Sequence, residues 1–127
     1  MTGRPESVSL RFRRICLDLP EVEERPSHGA PTFFIRGKVS FATLREHGHH
    51  DIEFPFFVCA APPGVQGALV MGRPDCFFVP AYVGHRGWVG VRLDRGVGWA
   101  EIEDLCEDAY RSVAPKRLLG ELDAYRD

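Results

Sequence analysis

The chain has 127 residues, a length that fits one domain and leaves little room for a second. Hydrophobic residues make up 44% of it and charged residues 27%, which excludes the composition of a disordered chain. The formal net charge of -2 excludes the overall basic surface of a dedicated nucleic-acid-binding domain, although a local basic patch is compatible with it.

No run of apolar residues approaches the roughly 20 that a membrane-spanning helix needs, and the polar residues 1–6 lack the apolar region of a secretory signal. The four cysteines are widely spaced and form no C-x-x-C pair, so we interpret them as reduced interior thiols of a cytoplasmic protein. They are Cys16, Cys59, Cys76 and Cys106. We expect one domain over residues 1–127, with its core over residues 7–118, and no membrane partner.

The first predicted element is a helix from Ser7 to Leu19, because apolar residues recur there at helical spacing. Ser7 is suited to cap the first turn, and Pro20 ends the segment. Residues 21–31, which are acidic and contain proline and glycine, predict a loop.

Residues 32–44 predict a β-hairpin with its turn at residues 36–38. A two-residue loop would place Phe33 opposite Ser40, whereas a three-residue loop places Phe33 opposite Phe41 and collects the apolar side chains on one face. The glycine of the turn can adopt a positive φ, so we prefer the three-residue loop.

A third strand is predicted at residues 54–59, where Pro55 indicates an edge position or an interrupted start. A short helix at residues 64–71, an alternating strand at residues 87–94 and the strongest helix at residues 99–114 follow. The end of the chain adds a short helix or frays. The expected fold class is α+β: a two-layer sandwich with an antiparallel sheet of about four or more strands and the N- and C-terminal helices on one face.

Six segments follow one another along the chain in a familiar order: Leu19-Pro20, Ser27-His28-Gly29, Arg36-Gly37-Lys38, Ala61-Pro62-Pro63-Gly64, Val83-Gly84-His85-Arg86-Gly87-Trp88 and Ala114-Pro115-Lys116-Arg117. In this order and spacing they resemble the MmcQ/YjbR family over residues 7–118. The resemblance implies a fold similar to CyaY, the bacterial frataxin, and a DNA-binding role through a double-wing motif. A formyltransferase label that the family has carried is supported by no motif here. Phe34 stands where many relatives carry Lys or Arg, which weakens the basic surface.

The strand at residues 87–94 places Trp88, Gly90 and Arg92 on one face. An indole ring beside guanidinium groups is suited to stacking on a base and pairing with phosphate. In the DNA-binding hypothesis Trp88 stacks, and basic side chains hold the phosphates and extend a charged track. These side chains are Arg36, Lys38, Arg86, Arg92, Lys116 and Arg117. The structural alternative is that Trp88 packs over Gly90 beneath a loop, with the arginines solvated.

A second class of function uses the same face to bind a small molecule or a protein partner. The polar loop at residues 47–51 contains three histidines and an aspartate, but a solvated turn explains it sufficiently and we assign no metal. His85 has no Ser, Cys or carboxylate partner at a catalytic spacing, and the motifs of nucleotide cofactors are missing. We therefore expect a non-enzymatic binding protein with no cofactor and no catalytic residue.

Overall fold

The structure of the chain, a computed structural model, describes residues 7–126, with side chains described up to residue 124. Helices and strands in this range form an α+β fold. The helices are α1 (Val8–Leu17), α2 (Val65–Gly72), α3 (Trp99–Val113) and α4 (Lys116–Arg126). The strands are β1 (Val22–Ser27), β2 (Ala30–Ile35), β3 (Val39–Arg45), β4 (Phe56–Cys59), β5 (Phe77–Phe78) and β6 (Val89–Arg92).

The strands form one antiparallel sheet in the order β1-β2-β3-β4-β6-β5. Helices α1 and α3 pack against each other and against the sheet, α1 on β1 and α3 on β3 and β4. This arrangement confirms the predicted α+β class, with an N-terminal and a C-terminal helix on one face of an antiparallel sheet. Within the described range, no helix combines the length and the apolar character that crossing a bilayer requires.

Helix α1 begins where the sequence predicts, because the Ser7 hydroxyl accepts a hydrogen bond from the backbone N–H of Leu10 at 3.1 Å. The helix places Phe12 on the sheet, where its ring centroid lies 4.4 Å from that of Phe57 and 5.7 Å from that of Phe33. All three phenyl rings are fully buried. Burial of each such ring stabilises the fold by about 1.5–3 kcal/mol, so this contact anchors the helix layer.

The prediction of a loop over residues 21–31 is wrong, because strand β1 occupies most of this range. Strand β1 lies at the edge of the sheet and pairs along its whole length with β2. Four of its six residues are exposed, so it lacks the alternation of a half-buried strand. Its proline, Pro26, is tolerated because an edge strand leaves some backbone N–H groups without a ladder partner.

The hairpin between β2 and β3 has the predicted three-residue turn at residues 36–38, but its register changes beyond the turn. Phe33 pairs with Ala42 rather than with Phe41, because a β-bulge adds one residue to β3. Phe41 and Ala42 are consequently both fully buried. The bulge therefore moves Ala42 into the core, away from the face where strict alternation would place it.

The second half of the chain follows the predicted order with shifted boundaries. Strand β4 begins at Phe56 rather than at residue 54, because Pro55 interrupts its start, and it lies inside the sheet between β3 and β6. The stretch after α2 contains the short edge strand β5. Lys116 and Arg117 follow α3 and lie in the first turn of α4.

All four cysteines are free and buried, as predicted for interior thiols. Burial raises the pKa of the Cys59 thiol well above its usual value. A hydrogen bond with Cys16, followed by burial, does the same for the pKa of Cys106. These thiols are therefore protonated and act as small hydrophobic side chains of the core.

Candidate functional site

The sheet face opposite α1 and α3 is termed the open face, and the strand register determines which side chains share it. One row across the sheet consists of Thr32, Thr43, Val58, Gly90 and Phe78. A second row consists of Arg45, Phe56 and Arg92. Near the β2–β3 turn, Phe34 pairs with Ser40. The open face thus combines aromatic rings, hydroxyl groups and three guanidinium groups, those of Arg45, Arg92 and Arg25, the last of which pairs with Thr32 at the edge of the sheet, whereas the helix-covered face is apolar.

Three chain segments rise around the open face and convert it into a cavity, termed the trough. They are the turn at residues 27–28, the loop at residues 49–52 and the segment at residues 80–88. The trough encloses about 900 Å³. This volume falls within the range of small-molecule sites in proteins.

The floor of the trough has a polar middle and an aromatic side. The Thr32 hydroxyl lies 3.3 Å from that of Thr43 and donates to the Ala30 carbonyl at 3.2 Å. Beside this pair, the rings of Phe56 and Phe78 meet edge to face with centroids 5.1 Å apart. A ligand resting on this floor would contact ring faces on one side and hydroxyl groups on the other.

At Gly90 the floor of the trough has no side chain of its own, and a residue of the neighbouring strand β5 fills the space. A Cβ atom at Gly90 would lie 2.4 Å from the Phe78 ring, so that ring occupies the space directly above the glycine. The sequence-based structural alternative holds in that the Trp88 ring is buried, but the side chain that packs over Gly90 is that of Phe78. Phe54 flanks Phe78 at a centroid distance of 5.6 Å and completes an aromatic cluster.

Trp88 lies at the wall of the trough and is only 5% exposed. The Arg86 guanidinium lies over its ring at 5.3 Å from the centroid. The side-chain amide of Gln66 in α2 donates to the backbone carbonyls of Trp88 and Gly84 at 2.5 and 2.8 Å and fixes this segment. Stacking of a base on Trp88 would require the guanidinium and the surrounding segment to move.

Two of the predicted phosphate-binding arginines already hold carboxylates. Arg36 donates two hydrogen bonds to Glu21 at 3.0 and 3.2 Å, and Arg92 donates two to Asp94 at 2.9 and 2.8 Å. These hydrogen bonds raise the pKa of both arginines. Arg92 also lies over the ring of Phe54, 3.7 Å from its centroid. Phosphate would have to displace a bidentate carboxylate at either position.

The other predicted cations are exposed, and among the described residues none of them forms an ion pair. Lys38 lies in the β2–β3 turn and Arg86 at the wall of the trough. Lys116 and Arg117 begin α4, which packs with α1 and α3 in the helix layer. The structure therefore brings Arg86 and Trp88 together and leaves Lys116 and Arg117 in the other layer of the fold.

The sequence analysis missed Arg45, the last residue of β3. Its side chain is half-buried in the trough, and its guanidinium donates to the backbone carbonyl of His28 at 3.3 Å. Burial lowers the pKa of Arg45. The signal was present in the sequence, because alternation through Thr43 continues to Arg45, but the predicted hairpin stopped one residue earlier.

Histidines and a tyrosine form the rim near Arg45. The rings of His49 and His50 have centroids 3.8 Å apart, and the His50 Nε2 lies 3.4 Å from the Tyr82 hydroxyl across the mouth of the trough. Burial, and after it the charges of Arg45 and His50, lower the pKa of His49. Over the part of the chain that the structure describes, no group of three His, Cys, Asp or Glu residues is arranged to hold a metal ion.

The backbone of this rim is strained. His28, His50 and Tyr82 have φ values of 52°, 56° and 68°, in the left-handed region that residues with side chains rarely adopt. Such conformations persist only where surrounding structure enforces them, and they concentrate at binding and catalytic sites. Glu21 and Arg36, which do not line the trough, share this conformation, so it accompanies the tight turns of the chain and does not single out the rim.

The architecture and the site together define a class: α+β proteins whose antiparallel sheet is covered by helices on one face and forms a walled trough on the other. The YjbR family model matches residues 17–112. The chain therefore belongs to the YjbR family, which confirms the resemblance drawn from its sequence motifs.

The chain is also similar to a solved structure, the crystal structure of protein DR2400 of Deinococcus radiodurans, described with the family-model domain DUF419. The two structures agree with a TM-score of 0.70 over 88% of this chain and 85% of that chain, at 19% sequence identity. At this identity the similarity establishes the fold alone. A comparison with curated protein sequences gives no significant match.

Proposed function

We propose that the chain is a non-enzymatic binding protein whose trough takes a small organic molecule. The observation that carries the proposal is the trough itself, a cavity of about 900 Å³ with a structured floor and three walls. Large concave sites with a few polar groups are the usual places for small ligands in proteins, and flat basic surfaces are the usual places for DNA. The site predicted for DNA is concave and its Trp88 ring is buried, which favours the small molecule.

The floor indicates what the body of the ligand resembles. Aromatic side chains at Phe34, Phe56 and Phe78 suit a planar or apolar body, and the hydroxyl groups of Thr32 and Thr43 add polar contacts. A binding role is favoured over catalysis because, among the described residues, no hydrogen bond joins a serine or threonine hydroxyl of the trough to a histidine or a carboxylate. The four free, buried thiols support a cytoplasmic location.

The test uses a variant in which a bulky side chain on the floor fills the trough. Val58→Trp adds a large ring at a half-buried position of the open face, whereas Leu10→Trp adds the same ring to the exposed surface of α1. A panel of planar acids, alcohols and amides is screened by the shift in the midpoint of thermal unfolding. A ligand at about one hundred times its Kd raises the midpoint by about 5 °C or more.

We expect compounds that stabilise the wild-type chain and Leu10→Trp but not Val58→Trp. Circular dichroism of each variant verifies that it is folded before the comparison is made. A panel in which every active compound stabilises Val58→Trp equally would overturn the proposal, because those compounds would bind elsewhere.

DNA binding is the second candidate, and the observation that favours it is the exposure of four cations that form no ion pair with any described residue. They are Lys38, Arg86, Lys116 and Arg117. If DNA is the partner, fluorescence anisotropy with single- and double-stranded oligonucleotides detects binding at about 50 mM salt that weakens steeply by about 200 mM. Binding lost in Arg86→Glu but kept in Arg95→Glu would favour DNA over the small molecule. Absence of binding at the lower salt concentration would remove this candidate.

A further inference from the structure

Arg45 differs from the other half-buried or paired arginines of the described chain in having no carboxylate partner. The comparison set consists of Arg13, Arg25, Arg36, Arg73, Arg92 and Arg111, each of which forms an ion pair with Glu or Asp. Arg45 instead donates only to a backbone carbonyl, at 3.3 Å. A half-buried guanidinium without a counter-ion has lost part of its hydration, so an anion beside it would be favoured.

The charge of the trough lining favours an anion as well. Asp51 is the single acidic residue of the lining, against the guanidinium groups of Arg45 and Arg86. Three imidazoles, those of His28, His49 and His50, also border the cavity and add positive charge when protonated. The whole chain has a net charge of -2, so the positive character of the trough is local rather than a property of the molecule.

The position of Arg45 determines which end of the trough would hold the anion. Arg45 pairs across the sheet with Phe56, and Phe56 pairs with Arg92 at the end of β6. Trp88 precedes the first residue of β6 and therefore lies at the opposite end. Four strand residues separate these ends by roughly 13 Å, about the length of a two-ring molecule with one substituent. Since Phe56 adjoins Arg45, a ring placed on the aromatic floor can carry its acidic group toward the guanidinium.

From this geometry we infer that the ligand of the trough carries an acidic group, a carboxylate or a phosphate, that pairs with the Arg45 guanidinium at the His28–His49 end. The inference rests on the proposed function, because it assigns the chemistry of a ligand in the same trough. Arg45 is a binding residue in this assignment and has no catalytic role.

The test compares probes that share a naphthalene ring and differ in the group at position 2: 2-naphthoate, 2-naphthyl phosphate and the neutral 2-naphthamide. Dissociation constants are measured by isothermal titration for the wild-type chain, for Arg45→Gln and Arg45→Lys, and for the control Arg95→Gln, which changes an exposed arginine outside the trough. We expect at least one of the acids to bind the wild-type chain about tenfold or more tightly than the amide, as a charged hydrogen bond provides. The acid with the lower dissociation constant indicates whether the ligand of the trough carries a carboxylate or a phosphate.

Arg45→Gln is expected to abolish the preference for the acid and leave the affinity for the amide unchanged. Arg45→Lys keeps part of the preference, and Arg95→Gln keeps all of it. Equal binding of acid and amide by the wild-type chain, or a preference that survives in Arg45→Gln, would overturn the inference while leaving the proposed function intact. Failure of all three probes to bind at millimolar concentration would count against both.

Discussion

The two faces of the sheet differ in burial and in the chemistry of their side chains. Neighbouring residues of β2 illustrate the difference: Phe33 is fully buried against α1, whereas Phe34 is half-buried on the open face beside the Arg25 guanidinium, 4.2 Å from its ring centroid. The helix-covered face is apolar and closely packed, and the open face retains hydroxyl groups, rings and charges that the core does not use. The apolar core and the candidate binding site therefore use opposite sides of the same strands.

The largest expected effect comes from truncating the same residue type on each face. Phe57→Ala removes a fully buried ring that contacts Phe12 and should lower the free energy of unfolding by about 3–5 kcal/mol. Phe34→Ala removes a half-buried ring of the open face and should cost less than half of that. Urea denaturation of both variants measures the difference, and equal losses would break the distinction between the faces.

A smaller effect tests how closely the open face is packed at its centre. Gly90→Ala brings a Cβ atom to 2.4 Å from the Phe78 ring, which the surrounding rings of Phe54 and Phe56 prevent from moving freely. Overpacking of this kind costs about 1–3 kcal/mol. Gly120→Ala in α4 is the matched control, because no atom lies within 4 Å of its new Cβ, and it should stabilise the helix by about 0.5–1 kcal/mol. The midpoint of thermal unfolding should therefore fall for Gly90→Ala and rise for Gly120→Ala.

The smallest effect concerns pH and belongs to the open face alone. Because burial and the neighbouring charges lower the pKa of His49 in the folded chain, the unfolded chain binds a proton at His49 first, at about pH 6.5. The unfolded state then holds more protons, so the free energy of unfolding falls as the pH drops below about 6.5.

His49→Gln should therefore flatten the dependence of the free energy of unfolding on pH between about 5 and 7. His85→Gln is the control, because the His85 side chain is exposed and, among the described residues, forms no ion pair, and this variant should keep the wild-type slope. Urea titrations at several pH values measure both slopes. A His49→Gln slope equal to that of the wild-type chain would contradict the assignment.

Much of the fold could be predicted from the sequence because its signals are local. Ser7 caps α1, and the alternation that ends in Arg92 defines β6; each follows from spacing or from one side-chain hydrogen bond. Strand β1 could not be predicted, because four of its six residues are exposed and only its pairing with β2 makes it a strand. The bulge at Phe41 could not be predicted either, because only the pairing of β2 with β3 reveals it.

The candidate site could be predicted only in part. Alternation along β6 correctly separates Gly90 and Arg92 from Val89 and Val91 of the core, whereas Trp88 precedes the strand and is buried with the core. It does not reveal that Arg86 and the segment around it cover the indole, or that Asp94 holds Arg92, because these contacts depend on loops that spacing does not place. Arg45 lies one residue beyond the predicted strand, so a strand boundary alone concealed it.

Because the Phe78 ring lies above Gly90, the shape of the trough at this point depends on the edge strand β5 and not on the inner strands. The centre of the trough floor is shaped by a residue of the two-residue edge strand β5, while the inner strands beneath it contribute only backbone at that point. A different side chain at position 78 would deepen or fill the cavity without disturbing the ladder of β4 and β6. For the ligand proposed above, a substitution at this one edge position would change the shape of the site and leave the inner strands as they are.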